Sequence, residues 1–496
     1  MMVLGKVCRC GTFLQHAGGR FMRNSARSVS STGSRTRPLC NPTSVSSSSS
    51  NLHAARRISS VGPRANDLAA SAPASNGLRA SSPASAASAS TAASAAATSV
   101  ADGELYKVNI SDTRCNVSLT APGKRDVHFH SIWLRHNCHC ELCKQDHSGQ
   151  KVIHPASLLA TYTVVEAYIE ENNLKISFAE EPDHVTIIPL DFLLNNDYSS
   201  ETRLEQQTIR QPLVAKGDLP TIGYGEVLDT KKGLLRWLQM LNDYGICLVK
   251  DVPTEDGMVK EAVESFWPVQ RTIYGEIFDV VSTPSPINVA YSNVELGFHM
   301  DLVYYESPPG IQFLHCMRFD ECVEGGDSVF LDSYAVAEEL RQHHPEDFDA
   351  LVRIPASFQK IHFERERPVY MKYRRHHIVL TPEGEITGIN WAPPFEAPLC
   401  VKEEDVEPYY KAYRKFAQML ENSNLKLKTR LEQGDLISFN NRRILHARDS
   451  FVLNGGMRHL QGCYLNIDEF KSQLDVLNQL HGDKAPSRRT FNQCGF

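Results

Sequence analysis

The chain has 496 residues and a formal net charge of −6, with 42% hydrophobic and 22% charged residues. That length exceeds what one small core requires, so two or more domains are expected, and the lack of any run of roughly eighteen apolar residues argues against a membrane span. The charge is uneven: residues 1–66 hold ten Lys or Arg and no Asp or Glu, so the remainder carries −16 and is a poor nucleic-acid binder.

That acid-free, Arg- and Ser-rich beginning predicts an organelle transit peptide, mitochondrial by composition; the alternatives are a plain basic tail and a cytoplasmic location. An Ala/Ser/Pro tract follows, "AASAPASNGLRASSPASAASASTAASAAATSV", with almost nothing to bury, and residues 1–103 are expected to be presequence and disordered linker. The thirteen cysteines are odd in number and unevenly spread, which argues against a secreted disulfide framework. Cys247, Cys316 and Cys463 lie in apolar runs and read as core thiols. "WLRHNCHCELCKQDH" differs: Cys138, Cys140 and Cys143 form a C-x-C-x2-C cluster, which in a reducing compartment points to structural zinc. Zinc takes four ligands, and His136, His139, His147 and His184 compete for the last place. The period-2 segment "NLKISFAEEPDHVTIIPL" predicts a hairpin that could return His184 to the cysteines. Residues 104–200 are therefore expected to form a small, mainly β, zinc-binding domain, with a polar linker over 201–229.

The pattern changes near residue 230. "KKGLLRWLQMLNDYG" predicts an amphipathic helix, "ICLVKDVP" a strand, and residues 256–268 a second helix. Short apolar segments with Gly/Pro turns then predict a sandwich or barrel over 230–480, with helices near 333–341 and 405–421 outside it and a tail at 481–496.

Within this part, "GFHMDLVYYESPPG" sets His299 and Asp301 two apart, a spacing that places both on one face of an extended strand. His446 ends a strand-like run 147 residues later. Two His and one carboxylate in this order fit the facial triad of a non-haem Fe(II) oxygenase, which leaves coordination positions open. Twelve residues beyond His446, Arg458 offers the permanently charged fork that a dicarboxylate such as 2-oxoglutarate needs. Arg458, Leu460, Gly462 and Tyr464 share one parity, so Tyr464 should face the same interior as the guanidinium.

The cysteine cluster, the H-x-D, "PPGIQFLHC", "GGDS", "LHAR" and "RHLQGCY" together resemble the gamma-butyrobetaine dioxygenase and trimethyllysine dioxygenase family over about residues 104–478. The resemblance implies a double-stranded β-helix (jelly-roll) catalytic domain behind an N-terminal zinc domain, a homodimer, O2 as co-substrate and ascorbate as reductant. It places His299, Asp301 and His446 on iron, Arg458 on 2-oxoglutarate, and Cys138, Cys140, Cys143 and His184 on zinc. It further implies that Tyr274, Phe278, Tyr291 and Tyr464 enclose a trimethylammonium group and that Asn288 meets the substrate carboxylate. Phe278 stands where a Trp is usual, a weaker cation–π partner. The expected reaction is hydroxylation of gamma-butyrobetaine to L-carnitine. Trimethyllysine is the alternative substrate, and a non-catalytic zinc-stabilised binding protein the alternative class.

Overall fold

The computed structural model describes residues 96–484 except 102–103, 122, 124, 206–218, 283–291 and 383, so the basic segment and most of the Ala/Ser tract lie outside the described residues. The end of the expected linker is not a linker: β1 (Ala96–Ala101) pairs antiparallel with β2 (Glu104–Ile110). With β3 (Asn116–Thr120) and β4 (Asp126–His130) they form a four-stranded meander, followed by α1 (Ser131–His136). Beyond the cysteine loop, β5 (Val164–Glu170), β6 (Asn173–Phe178) and β7 (Glu181–Pro189) make a three-stranded antiparallel sheet, which includes the expected hairpin. Helices α2 (Leu190–Asn195) and α3 (Ser200–Glu205) close this part. Alternation decides the packing. Val117, Leu119, Phe129, Leu174, Ile176 and Phe178 point inward from both sheets into one apolar cluster running from Tyr106 to Tyr198.

The next sheet begins earlier than the sequence pattern indicates. β8 (Thr221–Gly223) runs parallel to β9 (Ile246–Lys250), and α4 (Tyr224–Asp229) and α5 (Lys231–Tyr244) lie between them in the chain. The linker expected over 201–229 is thus corrected at its end. Ile222, Tyr224 and Val227 bury with the apolar stripe of α5, and the area they remove from water docks the segment.

The chain continues through α6 (Met258–Glu264), β10 (Ile277–Val281), β11 (Leu296–His299), β12 (Ile311–Phe319), β13 (Glu324–Gly325) and β14 (Ser328–Asp332). Helices α7 (Ser333–His343) and α8 (Pro345–Arg353) precede a hairpin of β15 (Pro355–His362) and β16 (Val369–His376), then a small pair, β17 (Ile378–Leu380) and β18 (Ile386–Ile389). Last come α9 (Glu403–Asn422), β19 (Leu427–Thr429), β20 (Leu436–Asn440), β21 (Ile444–Arg448), β22 (Phe451–Val452), β23 (Arg458–Leu465) and α10 (Ile467–His481).

Two sheets dominate: a six-stranded one in the order β10-β23-β12-β20-β9-β8, and a four-stranded one in the order β11-β21-β14-β19. Leu314, Cys316, Phe439 and Leu460 of the first meet Phe330 and Ile444 of the second in a shared cluster, so the sheets face one another. The outer face of the larger sheet is covered by α5 and α10, where Trp237 and Phe470 pack near Phe313 and Cys463. Being buried on both faces, β12 reads as a mostly apolar run rather than an alternation. Two buried polar residues interrupt it, Gln312 and His315, and Gln312 is 1% exposed.

Candidate functional site

The fold brings the ends of two distant segments together. β11 and β21 pair antiparallel with His299 directly opposite His446, their ring centroids 4.1 Å apart. Asp301 departs from the expected strand geometry. β11 ends at His299, and the chain turns through Leu302, whose φ of 58° lies in the left-handed region. A buried amide holds that turn: the Asp301 N–H donates to Asn441 Oδ1 at 2.8 Å, and Asn441 Nδ2 donates to the Asp301 carbonyl at 3.0 Å. The carboxylate is thereby carried back to the imidazoles, with Asp301 Oδ1 3.6 Å from His299 Nε2.

Each group is set in a definite state. His299 Nδ1 lies 2.9 Å from the Gly297 carbonyl, to which it can only donate, and this turns Nε2 toward Asp301. Burial, then the neighbouring His299, pushes the His446 pKa down to about 3, so its ring is neutral. Asp301 Oδ2 accepts from Gln312 Nε2 and from the Tyr464 hydroxyl, both at 2.7 Å, which leaves Oδ1 to face the histidines. The ligand atoms of His299, Asp301 and His446 lie within 4.8 Å of one another. Two imidazoles and a carboxylate so placed fit a divalent iron centre with open positions.

Those positions face a cavity. Arg458 lines it from β23, 3% exposed, with its Nε donating to the Gly326 carbonyl at 3.1 Å. Burial, then the neighbouring Arg448, pushes the Arg458 pKa down to about 10, so the guanidinium stays charged at neutral pH. It has no ion-pair partner among the described residues, and a buried cation in that condition calls for an anionic ligand. The parity of β23 holds: Arg458, Leu460 and Tyr464 line the cavity, while Cys463 and Leu465 pack under the helices.

The aromatic wall is partly the expected one. Tyr274, Phe278 and Tyr464 line the cavity, with the Phe278 and Tyr464 rings stacked 5.0 Å apart. Gly462 makes room for this stack, since a Cβ there would meet the Phe278 ring at 2.4 Å. Asn288 and Tyr291 lie outside the described residues. Two wall residues escaped the sequence reading. Tyr304 hydrogen-bonds the Tyr274 hydroxyl at 3.4 Å, and Phe395 meets the Tyr304 ring edge-on at 5.2 Å. Tyr304 stands three residues after Asp301, and that adjacency was its signal. Phe395 follows a Pro pair and carried none. Gln312 had a signal, as the lone amide in an apolar strand; Asn441, in a turn, had none that separates it from ordinary turn residues.

The cysteine cluster is elsewhere. β7 carries His184 to the loop after α1, and the His139 N–H donates to the Ile187 carbonyl at 2.7 Å, tying loop to strand. His184 Nε2 lies 3.7 Å from Cys138 Sγ and 3.3 Å from both Cys140 Sγ and Cys143 Sγ. Bond lengths of about 2.1–2.3 Å give a tetrahedral edge of roughly 3.5 Å, so this donor set has the dimensions of a four-coordinate zinc site. His139 instead packs its ring against Phe192, and neither His136 nor His147 joins the cluster. Burial, then the adjoining sulfurs, raises the Cys143 thiol, a cost a cation would remove. The Cys140 and Ile187 N–H groups point at Cys138 Sγ, each at 3.4 Å, and Glu181 lies 3.6 Å behind His184 Nδ1.

Residues 209–464 match the family described as taurine catabolism dioxygenase TauD, TfdA family, and residues 108–193 match gamma-butyrobetaine hydroxylase-like, N-terminal. A gamma-butyrobetaine dioxygenase from Pseudomonas sp. (strain AK-1) is 31% identical over 73% of this chain and 94% of its own. Dioxygenase str8 of Strobilurus tenacellus is 29% identical over 68% of this chain and 82% of its own. The mitochondrial trimethyllysine dioxygenase of Bos taurus is 28% identical over 71% of this chain and 82% of its own.

Proposed function

The chain belongs to the taurine catabolism dioxygenase TauD, TfdA family, with gamma-butyrobetaine and trimethyllysine dioxygenases among its relatives, and from that premise we propose that it hydroxylates a trimethylammonium carboxylate, gamma-butyrobetaine to L-carnitine first among them. One observation carries the reading. A buried two-His, one-carboxylate cluster, a buried guanidinium and an aromatic wall all open on the same cavity.

His299, Asp301 and His446 would hold Fe(II), and Arg458 would take the distal carboxylate of 2-oxoglutarate. Bound Fe(II) supplies O2 activation coupled to decarboxylation of 2-oxoglutarate, with one oxygen atom passing to the substrate. The chain contributes placement. Tyr274, Phe278 and Tyr464 offer negative ring faces to a weakly hydrated cation, and the burial of the cavity excludes water from the reacting carbon. Trimethyllysine is the second reading, favoured by the acid-free N-terminal segment, which would direct the chain to mitochondria as in the mitochondrial relative. Cys138, Cys140, Cys143 and His184 would hold a structural zinc within a domain of residues 104–200, ahead of a dioxygenase domain that starts near 219.

The test is mass spectrometry of products from purified enzyme given Fe(II), 2-oxoglutarate, ascorbate and a panel of trimethylammonium compounds. Gain of one oxygen by gamma-butyrobetaine, matched by 2-oxoglutarate consumption, is the expected result. Preferential oxidation of trimethyllysine would move the assignment to the second reading, and no oxidation of any quaternary ammonium compound would overturn both.

A further inference from the structure

Tyr464 touches both halves of the site. Its ring is 2% exposed, stacks on Phe278 and lines the cavity, while its hydroxyl donates to Asp301 Oδ2 at 2.7 Å. Gln312 donates to the same oxygen at 2.7 Å but contributes no ring. An aromatic wall and a support for a metal ligand are separate jobs, and here one rigid side chain does both. Tyrosine has only two side-chain torsions, and this ring is wedged against Phe278 over Gly462. A shift of the ring face therefore moves the hydroxyl with it.

We infer that Tyr464 is a positioning residue that couples the cage to the metal centre, so that a cation seated against its ring alters the support of Asp301 and hence the metal's surroundings. This rests on the cage reading above. The hydrogen bonds to Asp301 Oδ2 would leave Oδ1 as the oxygen offered to a metal, and loss of such outer contacts typically weakens metal binding about 10–100-fold.

The experiment uses the full chain freed of iron but retaining its zinc, with Co(II) as a spectroscopic probe titrated with and without gamma-butyrobetaine, and calorimetry of gamma-butyrobetaine on the same iron-free protein. Tyr464→Phe keeps the ring and removes only the hydroxyl. It should weaken Co(II) binding about tenfold or more and abolish the change that gamma-butyrobetaine produces in the Co(II) absorption, at concentrations that calorimetry shows to saturate the variant. Gln312→Met should weaken Co(II) binding while keeping the response, because Tyr464 still reports the ring's position. Unaltered Co(II) affinity in Tyr464→Phe would overturn the inference, as would a surviving response. A protein that binds gamma-butyrobetaine with no change in the Co(II) spectrum also refutes the coupling and spares the cage. No binding of gamma-butyrobetaine or any other trimethylammonium compound would remove the cage reading and the coupling with it.

Discussion

The two donor clusters differ in number and in what surrounds them. Cys138, Cys140, Cys143 and His184 close on one another at tetrahedral distances, on a loop tied to β7. His299, Asp301 and His446 gather on one side only, and the other side is a cavity lined by Arg458 and aromatic rings. Four donors saturate a zinc ion and make its binding energy part of folding. Three donors beside a cavity leave room for a co-substrate and an oxidant. The supports differ likewise: backbone N–H groups face the sulfur of Cys138, whereas side-chain amide and phenol groups hold Asp301.

Damage to the two clusters should separate cleanly. The largest effect should come from His299→Ala, Asp301→Ala or His446→Ala. Each should cut 2-oxoglutarate decarboxylation and substrate hydroxylation together by roughly a thousandfold or more, with the thermal midpoint and zinc content little changed. Full turnover in any one of them breaks the comparison. Cys140→Ser should do the reverse: metal analysis should find zinc lost, and hydrogen exchange should show residues 104–200 loosened, because metal binding supports that fold directly. Equal stability without zinc would reduce the cluster to ordinary thiols.

Within the open site, Arg458→Lys keeps the charge but loses the fork, which should cost about 1.5–3 kcal/mol. The KM for 2-oxoglutarate should then rise about 10–100-fold while substrate affinity holds. A neutral tert-butyl analogue of gamma-butyrobetaine should bind more weakly by about 1–2 kcal/mol, the size of a desolvated cation–π interaction. Equal affinities in calorimetry would make the rings plain core.

The smallest effect concerns Glu396, next to the wall residue Phe395. Burial raises its pKa from 4.5 to about 7, although the Tyr413 hydroxyl works the other way, and its buried Oε1 has no hydrogen-bond partner among the described residues. Because the folded pKa is the higher one, its contribution to stability is complete below pH 4.5 and is lost as pH rises through about 7. Glu396→Gln should therefore stabilise the chain by about 1 kcal/mol at pH 8.5, allowing for partial exposure, and leave it unchanged at pH 4.5. Zinc content should not move at either pH. A gain at both would mean that the effect is not ionic.

The sequence by itself determined what is local. The C-x-C-x2-C spacing, the H-x-D pair, the arginine twelve residues after a strand-borne His and the shared parity of Arg458 and Tyr464 are all short-range, because strand periodicity and donor chemistry need no partner to be read. Tertiary structure decided what depends on closing long loops. The hairpin pattern and the family resemblance already point to His184, and the β6–β7 pairing sets its ring against the sulfurs; the opposition of His299 and His446 follows from a register set between strands whose histidines are 147 residues apart in sequence. The turn that swings Asp301 out of β11 depends on the Asn441 amide, and β8 joins the large sheet through burial of three side chains. Polar direction was the least legible. A phenol's ring obeys strand parity, but its hydroxyl finds whichever acceptor the fold supplies, and for Tyr464 that acceptor is Asp301.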